Sequence, residues 1–507
     1  AHLLPEDAID ALVSKNVMMR EVKLVSRPGF AQIGSSTVTG RPMGAIFYKE
    51  QTTKRSMIGT TLGWYHLVSG VWTDITGGTA LTGTADDHVR FVLWPTGTTY
   101  VLVGVNGIRD VPKKWTGSGN YASLGGTPPQ AKDITMAANR IVLGYTYESA
   151  VEQVFRIRWS GFNDHETWAA ANFVDLSDTP DQVVAVRAIN RTAFAIYKEA
   201  SQWAGFAVSG SAPYRFELQD QKPGPVSTAS VVAVEGRHYY LGQDGSIYQF
   251  DGTRGVHIGE PIRRYIVNNL NFDKKGRAFS TYLKRDRDIW FFFPSVQQDD
   301  CDRAVSLNLD TMRFFPHELG IKVSAGTEWD IISTITWDSL SGYTWDNIAA
   351  TYPTWNSFGT SSIPVDMVGQ TGGKVHIFGT LATDDGATVS ALWRFGPRAM
   401  AGPGKRLRVQ SLDTFFDKSS TTQNALLRVG TTDTLAQAPT FPAEMEDTFD
   451  TSTDTVFQAR YDDTAAGYGT GKAEARFTAV EHQITTATEW AWNGAVVRGN
   501  AEETGNN

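Results

Sequence analysis

Residues that could do chemistry are present in this chain, but their spacing builds no familiar reaction centre. Nine histidines are scattered so that no two lie within four residues, which excludes a zinc site made from local spacing. The single cysteine, Cys301, has no local His or basic cluster to activate it as a nucleophile. No G-x-S-x-G elbow occurs; Gly34-Ser35-Ser36-Thr37-Val38 lacks the closing glycine. Gly467 to Ala473 imitates a phosphate loop but is one residue short, with Ala473 where Mg²⁺ binding needs a hydroxyl. Asp244-Gly245 and Asp251-Gly252 flank a strand, with the wrong spacing for a calcium loop and no residue between Asp and Gly as a sialidase repeat requires. Acid pairs such as Asp299–Asp300 and Asp462–Asp463 are ordinary for surface loops, and adjacency in sequence says nothing of the separation a glycosidase needs. The expectation is a protein with no catalytic, metal or cofactor site, and no enzyme. The alternative is a carbohydrate-binding or glycan-cleaving propeller whose residues converge only in space.

The elements that would position any site are strands. Apolar residues make up 41 % and charged residues 20 % of 507 residues, a globular balance, and 48 glycines with 15 tryptophans fit many short strands joined by tight turns. Only Pro5–Lys15 has helical spacing, with Ala8, Ile9, Leu12 and Val13 on one face. Beyond it one phrase recurs: apolar strand, tight polar turn ending in Arg, apolar strand. The turns fall at Asn139–Arg140, Asn190–Arg191, Gly236–Arg237 and near Arg287, spaced 51, 46 and 50 residues by their arginines. Looser copies turn at Pro95–Thr98 and near Thr53–Arg55, and a late copy turns at Gly372–Gly373. Each reads as a hairpin, and the period is that of a four-stranded propeller blade. The fold class expected is all-β: a β-propeller, six blades favoured and a seventh allowed.

Residues 1–30 form an N-terminal segment, a short helix and then a strand. Blades occupy 31–331. Three turns, TWDS, TWDN and TWNS, make a Trp-rich insertion at 332–362; Trp spacings of 8 and 10 are too short for blade motifs. Residues 363–394 hold a last blade, and 395–507 a C-terminal β-domain with an acidic, Thr- and Gly-rich excursion at 443–472.

Charge is unevenly spread. Of the net −8, residues 440–507 carry all of it (12 acidic, 4 basic), leaving the first 439 residues neutral. Arg254–Arg287 leans the other way, with nine basic residues and three acids. Arg263, Arg264, Lys274, Lys275, Arg277, Lys284 and Arg285, with Arg287, are the candidates for an inter-subunit or inter-ring docking face. One cysteine allows no intrachain disulfide, and the acidic, proline-containing first residues do not read as a signal peptide. Both lead to the expectation of folding in a reducing cytoplasm. No run approaches the roughly 18 apolar residues of a membrane span, so a soluble protein is expected.

Several phrases together resemble one family, the tail nozzle or packaged-DNA-stabilisation proteins of short-tailed bacteriophages. VKLVSRPGFAQIG carries Arg27-Pro28-Gly29-Phe30, like the RPG–aromatic segment that opens such proteins. FRIRWSGFNDHETW (Phe155–Trp168), the strand–DG–strand–DG run Tyr239–Gly259, the TW turns and EARFTAVEHQITTATEWAWNGAVVRG follow in the family's order. The resemblance runs from about residue 20 to 500; the acidic excursion departs from it. It implies a structural virion protein, typically six copies in a ring below portal and adaptor rings. Tail spike, fibre or needle proteins would be its neighbours. The ring would extend the DNA channel, retain packaged DNA and conduct it at ejection without sequence specificity. It implies a place in the virion tail, after assembly in the bacterial host's cytoplasm. The family brings no catalytic residues, and no gate motif can be placed here. A neutral-to-acidic wall, which does not grip phosphates, fits such passage.

Overall fold

The structure is a computed structural model. It describes residues 2–3, 13–20, 23–51, 53–209, 212–332, 362–379, 383–394, 405–417, 424–432, 446–450, 456–460, 474–475, 477–486 and 491–503. Five consecutive four-stranded antiparallel sheets come first. They span Pro42–Asp74, Val89–Ser123, Gln130–Asp175, Val183–Asp220 and Val231–His257 (blades 1 to 5). Blade 6 is Phe279–Leu283, Asp288–Pro294, Cys301–Asn308 and the first part of the long strand Arg313–Ile332. From Val323 that same strand becomes the innermost strand of blade 7, pairing with Ser362–Gln370, then Val375–Phe378, then Phe30–Gln32. Among the described residues the ring therefore has seven blades, where six were favoured from the sequence. The seventh is hard to see in sequence because it shares a strand with the sixth and takes its outer strand from the N-terminus.

The core confirms the count. Seven separate hydrophobic clusters lie one at each blade-to-blade contact. The cluster of Ile33, Val38, Ile58, Tyr65, Trp72, Met367 and Val375 closes blade 7 onto blade 1, and Ser324 donates to the Pro42 carbonyl across that seam at 2.6 Å. Inner strands approach closely: a Cβ on Gly44 would lie 1.9 Å from the Val89 carbonyl oxygen, so only glycine fits there. The turns follow the repeat. Ala138–Asn139 and Glu235–Gly236 both have positive φ at the two central positions, the primed turn whose twist matches its strands. The first hairpin bends at Gln51, two residues earlier than the expected Thr53–Arg55, where pairing has already begun.

An eighth cluster, built around Trp393, Leu412, Leu427, Ile484 and Trp492, fills a C-terminal β-sandwich. One sheet contains Lys405–Phe416 and Ala491–Glu503; the other contains Ala387–Arg394, Asn424–Thr432 and Phe477–Thr486. The N-terminal segment is part of this sandwich. Val13–Lys15 is a strand paired with Ala387–Arg394, not the end of a helix, and Val17–Arg20 with Lys23–Ser26 extends the opposite sheet. Residues 5–12 of the expected helix lie outside the described residues. Strand Ala387–Arg394 thus belongs to the sandwich and not to a last blade, since Ala391 and Trp393 of its apolar face lie in that core. Within the acidic excursion, Glu446–Asp450 and Val456–Arg460 are strands at the sandwich edges. The Trp turns lie outside the described residues; Ile332 pairs with Ser362, so the insertion sits within the first hairpin of blade 7. No described helix is long and apolar enough to cross a membrane.

One buried carboxyl makes stability depend on pH. Asp366, fully buried in blade 7, is pushed up to about 7, by desolvation first and by the Glu328 and Asp286 charges beyond it. Its folded pKa exceeds the unfolded value, so the fold binds the extra proton. The stability this brings is present at low pH and lost as pH rises from about 4 through about 7. Asp366→Asn should therefore stabilise the chain by about 2–4 kcal/mol at pH 8 and by only about 1 kcal/mol at pH 4.5. Urea unfolding at the two pH values checks this; equal gains at both would show that the carboxyl is not the cause.

Candidate functional site

The basic stretch does not form one face. The chain between blades 5 and 6 folds as a helix, Glu260–Asn269, which the sequence reading missed; Pro261 in its first turn and Ile262 and Ile266 on its buried side were the available signals. Arg263 and Arg264 are exposed on that helix, beside exposed Val267 and Phe272. Lys274 and Lys275 follow, half-buried, on the same crossover side of the ring. Lys284, Arg285 and Arg287 occupy the turn at the other end of the innermost strand Phe279–Leu283, at the hairpin side. Five residues rising about 3.3 Å each separate the two groups, so they address opposite faces of the disc. Arg277 is not available for docking: it is buried, pairs with Asp86 at 2.6 Å and donates to the Asp299 carbonyl at 3.0 Å. Lys284 pairs with Glu328 (2.7 Å), Arg285 with Asp286 (3.1 Å), and Arg287 with both Glu235 and Asp310 (2.7 Å each). As a docking set, Arg263, Arg264, Lys274 and Lys275 remain together.

Other residues singled out by type have local work. Cys301 is buried and its thiol is pushed up by desolvation, so it is not a thiolate at neutral pH. Asp251 accepts the backbone N–H groups of Thr253 and Arg254, and Asp244 that of Ser246, so both close their own turns. Asp300 pairs with Arg41. Among the described residues no group of three or more His, Cys, Asp and Glu could hold a metal ion.

The RPG–Phe segment is a clasp. Arg27, 1 % exposed, makes a fork on Asp384, donates to the Glu318 carbonyl at 3.0 Å and donates through Nε to the Asn16 amide oxygen at 3.0 Å. Asn16 donates in turn to the Ser390 carbonyl (2.8 Å) and accepts the Glu318 N–H (2.8 Å). Blade 6, the sandwich and the N-terminal strands meet at these residues. Gly29 lets the backbone pass Thr383, whose carbonyl oxygen would lie 2.1 Å from any Cβ there, and Phe30 stacks on Phe378 at 4.8 Å.

Two cavities lie on the ring axis. Toward the crossover side, one of about 280 Å³ is lined by Asp87, His88, Arg109, Lys132, Tyr145 and Glu152 among others. Burial lowers the pKa of Lys132, whose ammonium lies 5.0 Å from the Tyr145 ring centre. Tyr145 sits at a strand bulge with φ 53°, a strained position for a bulky residue. The other cavity, about 360 Å³, takes side chains from the innermost strands of six blades, Arg90 and Arg187 among them. Asp133, fully buried on the remaining blade's inner strand, pairs with Arg187 and lies 3.5 Å from Arg90. Sequence reasoning missed this trio. Its signal was one charge inside each of three apolar strands, VRFVLW, DITMA and VVAVRA.

No family model and no curated protein matches the chain. Solved structures similar to it include YjhT, at 7 % identity and a TM-score of 0.35, covering 56 % of this chain and 99 % of that one. A puromycin-hydrolyzing peptidase of Mycobacterium tuberculosis is also similar, at 10 % identity and a TM-score of 0.34, covering 73 % of this chain and 62 % of that one. Likenesses this distant assign the chain no activity; its all-β architecture of four-stranded sheets with a C-terminal β-domain rests on its own strand pairing.

Proposed function

We propose that the chain is a structural ring subunit, the tail nozzle of a short-tailed phage. The observation that supports the reading best is where its distinguishing phrases fall. RPG–Phe is the clasp between propeller and sandwich, and Asp164 of the WS…D…W phrase caps its own turn at Glu166 and Thr167. The chain spends these phrases on architecture. Its axial cavity of about 360 Å³ is far too small for a duplex whose major groove alone is about 12 Å wide. DNA would pass between subunits arranged around a larger axis, with each propeller as a rigid wall element.

Exposed Arg263, Arg264, Val267 and Phe272 supply a contact surface of the needed kind, an apolar patch rimmed by arginines. Incubated with its adaptor partner, the protein should form closed rings in electron micrographs. Arg263→Glu with Arg264→Glu should cut ring yield at least tenfold at low salt, with a smaller effect at high salt. A chain that stays monomeric with every adaptor and instead releases sugar from glycans would favour a carbohydrate-active propeller.

A further inference from the structure

We propose that the axial cavity of the propeller is a binding site for a small oxyanion, a phosphate or a carboxylate, held by the guanidinium of Arg90 with support from Arg187. The inference is independent of any role in a phage tail.

The charge in the cavity does not balance. Two guanidiniums face one carboxylate, Asp133, and the other acid lining the cavity, Glu328, is taken by Lys284 at 2.7 Å. The three are not equivalent. Arg187 is engaged through both terminal nitrogens: it pairs with Asp133, donates to its own strand at the Val186 carbonyl (2.6 Å) and donates to the Thr228 carbonyl, leaving only Nε without a partner. Asp133 is held further by the Val186 N–H at 2.8 Å. Arg90 has a single partner, Asp133, whose carboxylate it shares with Arg187. That contact is loose: the carboxylate oxygen stands 3.5 Å from Nε, and the 28 % of the Arg90 side chain that is exposed opens onto the cavity it lines. Burial, then the like charge of Arg187, pulls its pKa down to about 10, so it remains a cation at neutral pH.

Two enclosed cations sharing one carboxylate are costly, and natural interiors balance such groups. A guanidinium presents a planar fork that matches the two oxygens of a carboxylate or phosphate. The surroundings offer a further hydroxyl, Thr281 Oγ1, whose residue lines the cavity. The cavity far exceeds the roughly 10–15 Å³ that admits one water, so an oxyanion with some of its hydration fits.

The test is isothermal titration of the full chain at low ionic strength with two probes, sodium phosphate and sodium acetate, at constant sodium. Saturable binding of either supports the site, and the better of the two names the class. Arg90→Met should weaken that binding at least tenfold; Asp133 keeps Arg187 and the Val186 N–H as partners in this variant, so the fold should persist, which its circular dichroism spectrum checks. Asp133→Asn, which leaves both cations uncompensated, should tighten binding several-fold, and a variant that fails to fold leaves the decision to Arg90→Met. The proposal is overturned by the absence of saturable binding, by unchanged affinity in Arg90→Met, or by equal displacement of the bound probe by an equivalent amount of chloride, which would mark simple screening.

Discussion

Replacing Arg27 by alanine should destabilise the protein by about 3–5 kcal/mol, the cost of removing one member of a buried ion pair and leaving the other charged. Arg27 and Asp384 are 1 % and 3 % exposed at their side chains, so solvent cannot take over for either. Once the guanidinium is gone, the Asp384 carboxylate retains the Gly320 N–H at 2.6 Å but no cation. Asn16 and the Glu318 carbonyl lose donors at the same moment. Arg27→Lys should recover only part of the loss. One ammonium cannot reach Asn16, Asp384 and the Glu318 and Pro28 carbonyls from the directions a planar fork covers. Pairing Arg27→Met with Asp384→Asn should cost less than Arg27→Met alone, because no buried charge is then orphaned. Midpoints of urea unfolding for the four variants provide the check. If Arg27→Ala shifts the midpoint no more than a surface substitution does, the clasp is not a source of stability.

Deleting residues 1–32 should have a still larger effect, more than about 5 kcal/mol, since it removes a fully buried phenylalanine and the clasp together. The strand Phe30–Gln32 is the outer strand of blade 7 and reaches it from the opposite end of the chain. Without it, Val375–Phe378 becomes an open edge, and the stack of Phe30 on Phe378 is lost. The sandwich also loses Val13–Lys15 and the Val17–Ser26 hairpin, with core residues Val17 and Leu24. The expected product aggregates or loses its cooperative transition. A peptide of residues 13–33 added in trans should restore part of the transition by strand addition. A truncated chain that unfolds at the full-length midpoint would show that the ring closes without this strand.

Local rules made the blade hairpins legible. Alternating apolar strands around tight turns need only neighbours in sequence, so the turns expected at Asn139–Arg140 and Gly236–Arg237 fall within one residue of those formed, Ala138–Asn139 and Glu235–Gly236, with each Arg already paired in its strand. The helix Glu260–Asn269 was missed because its apolar spacing is short and its exposed side is basic, which reads as a charged loop. The basic stretch looked like one surface because neighbours in sequence need not share a face. The strand Phe279–Leu283 runs through the ring and carries the charges on either end to opposite sides.

By itself, then, the sequence determined an all-β chain with a blade-length repeat, a tryptophan-rich interruption and a separate C-terminal β-region, because strand alternation and turn chemistry are local. Tertiary structure alone decided that the blades number seven, since the last is assembled from Val323–Ile332 and Phe30–Gln32, about three hundred residues apart. It alone turned Arg27 from part of a turn phrase into a buried clasp, because its partners Asn16, Glu318 and Asp384 converge only on folding. It alone brought Arg90, Asp133 and Arg187 together on the axis. A site formed where inner strands converge takes one residue from each of several blades, and no spacing within a single strand can announce it.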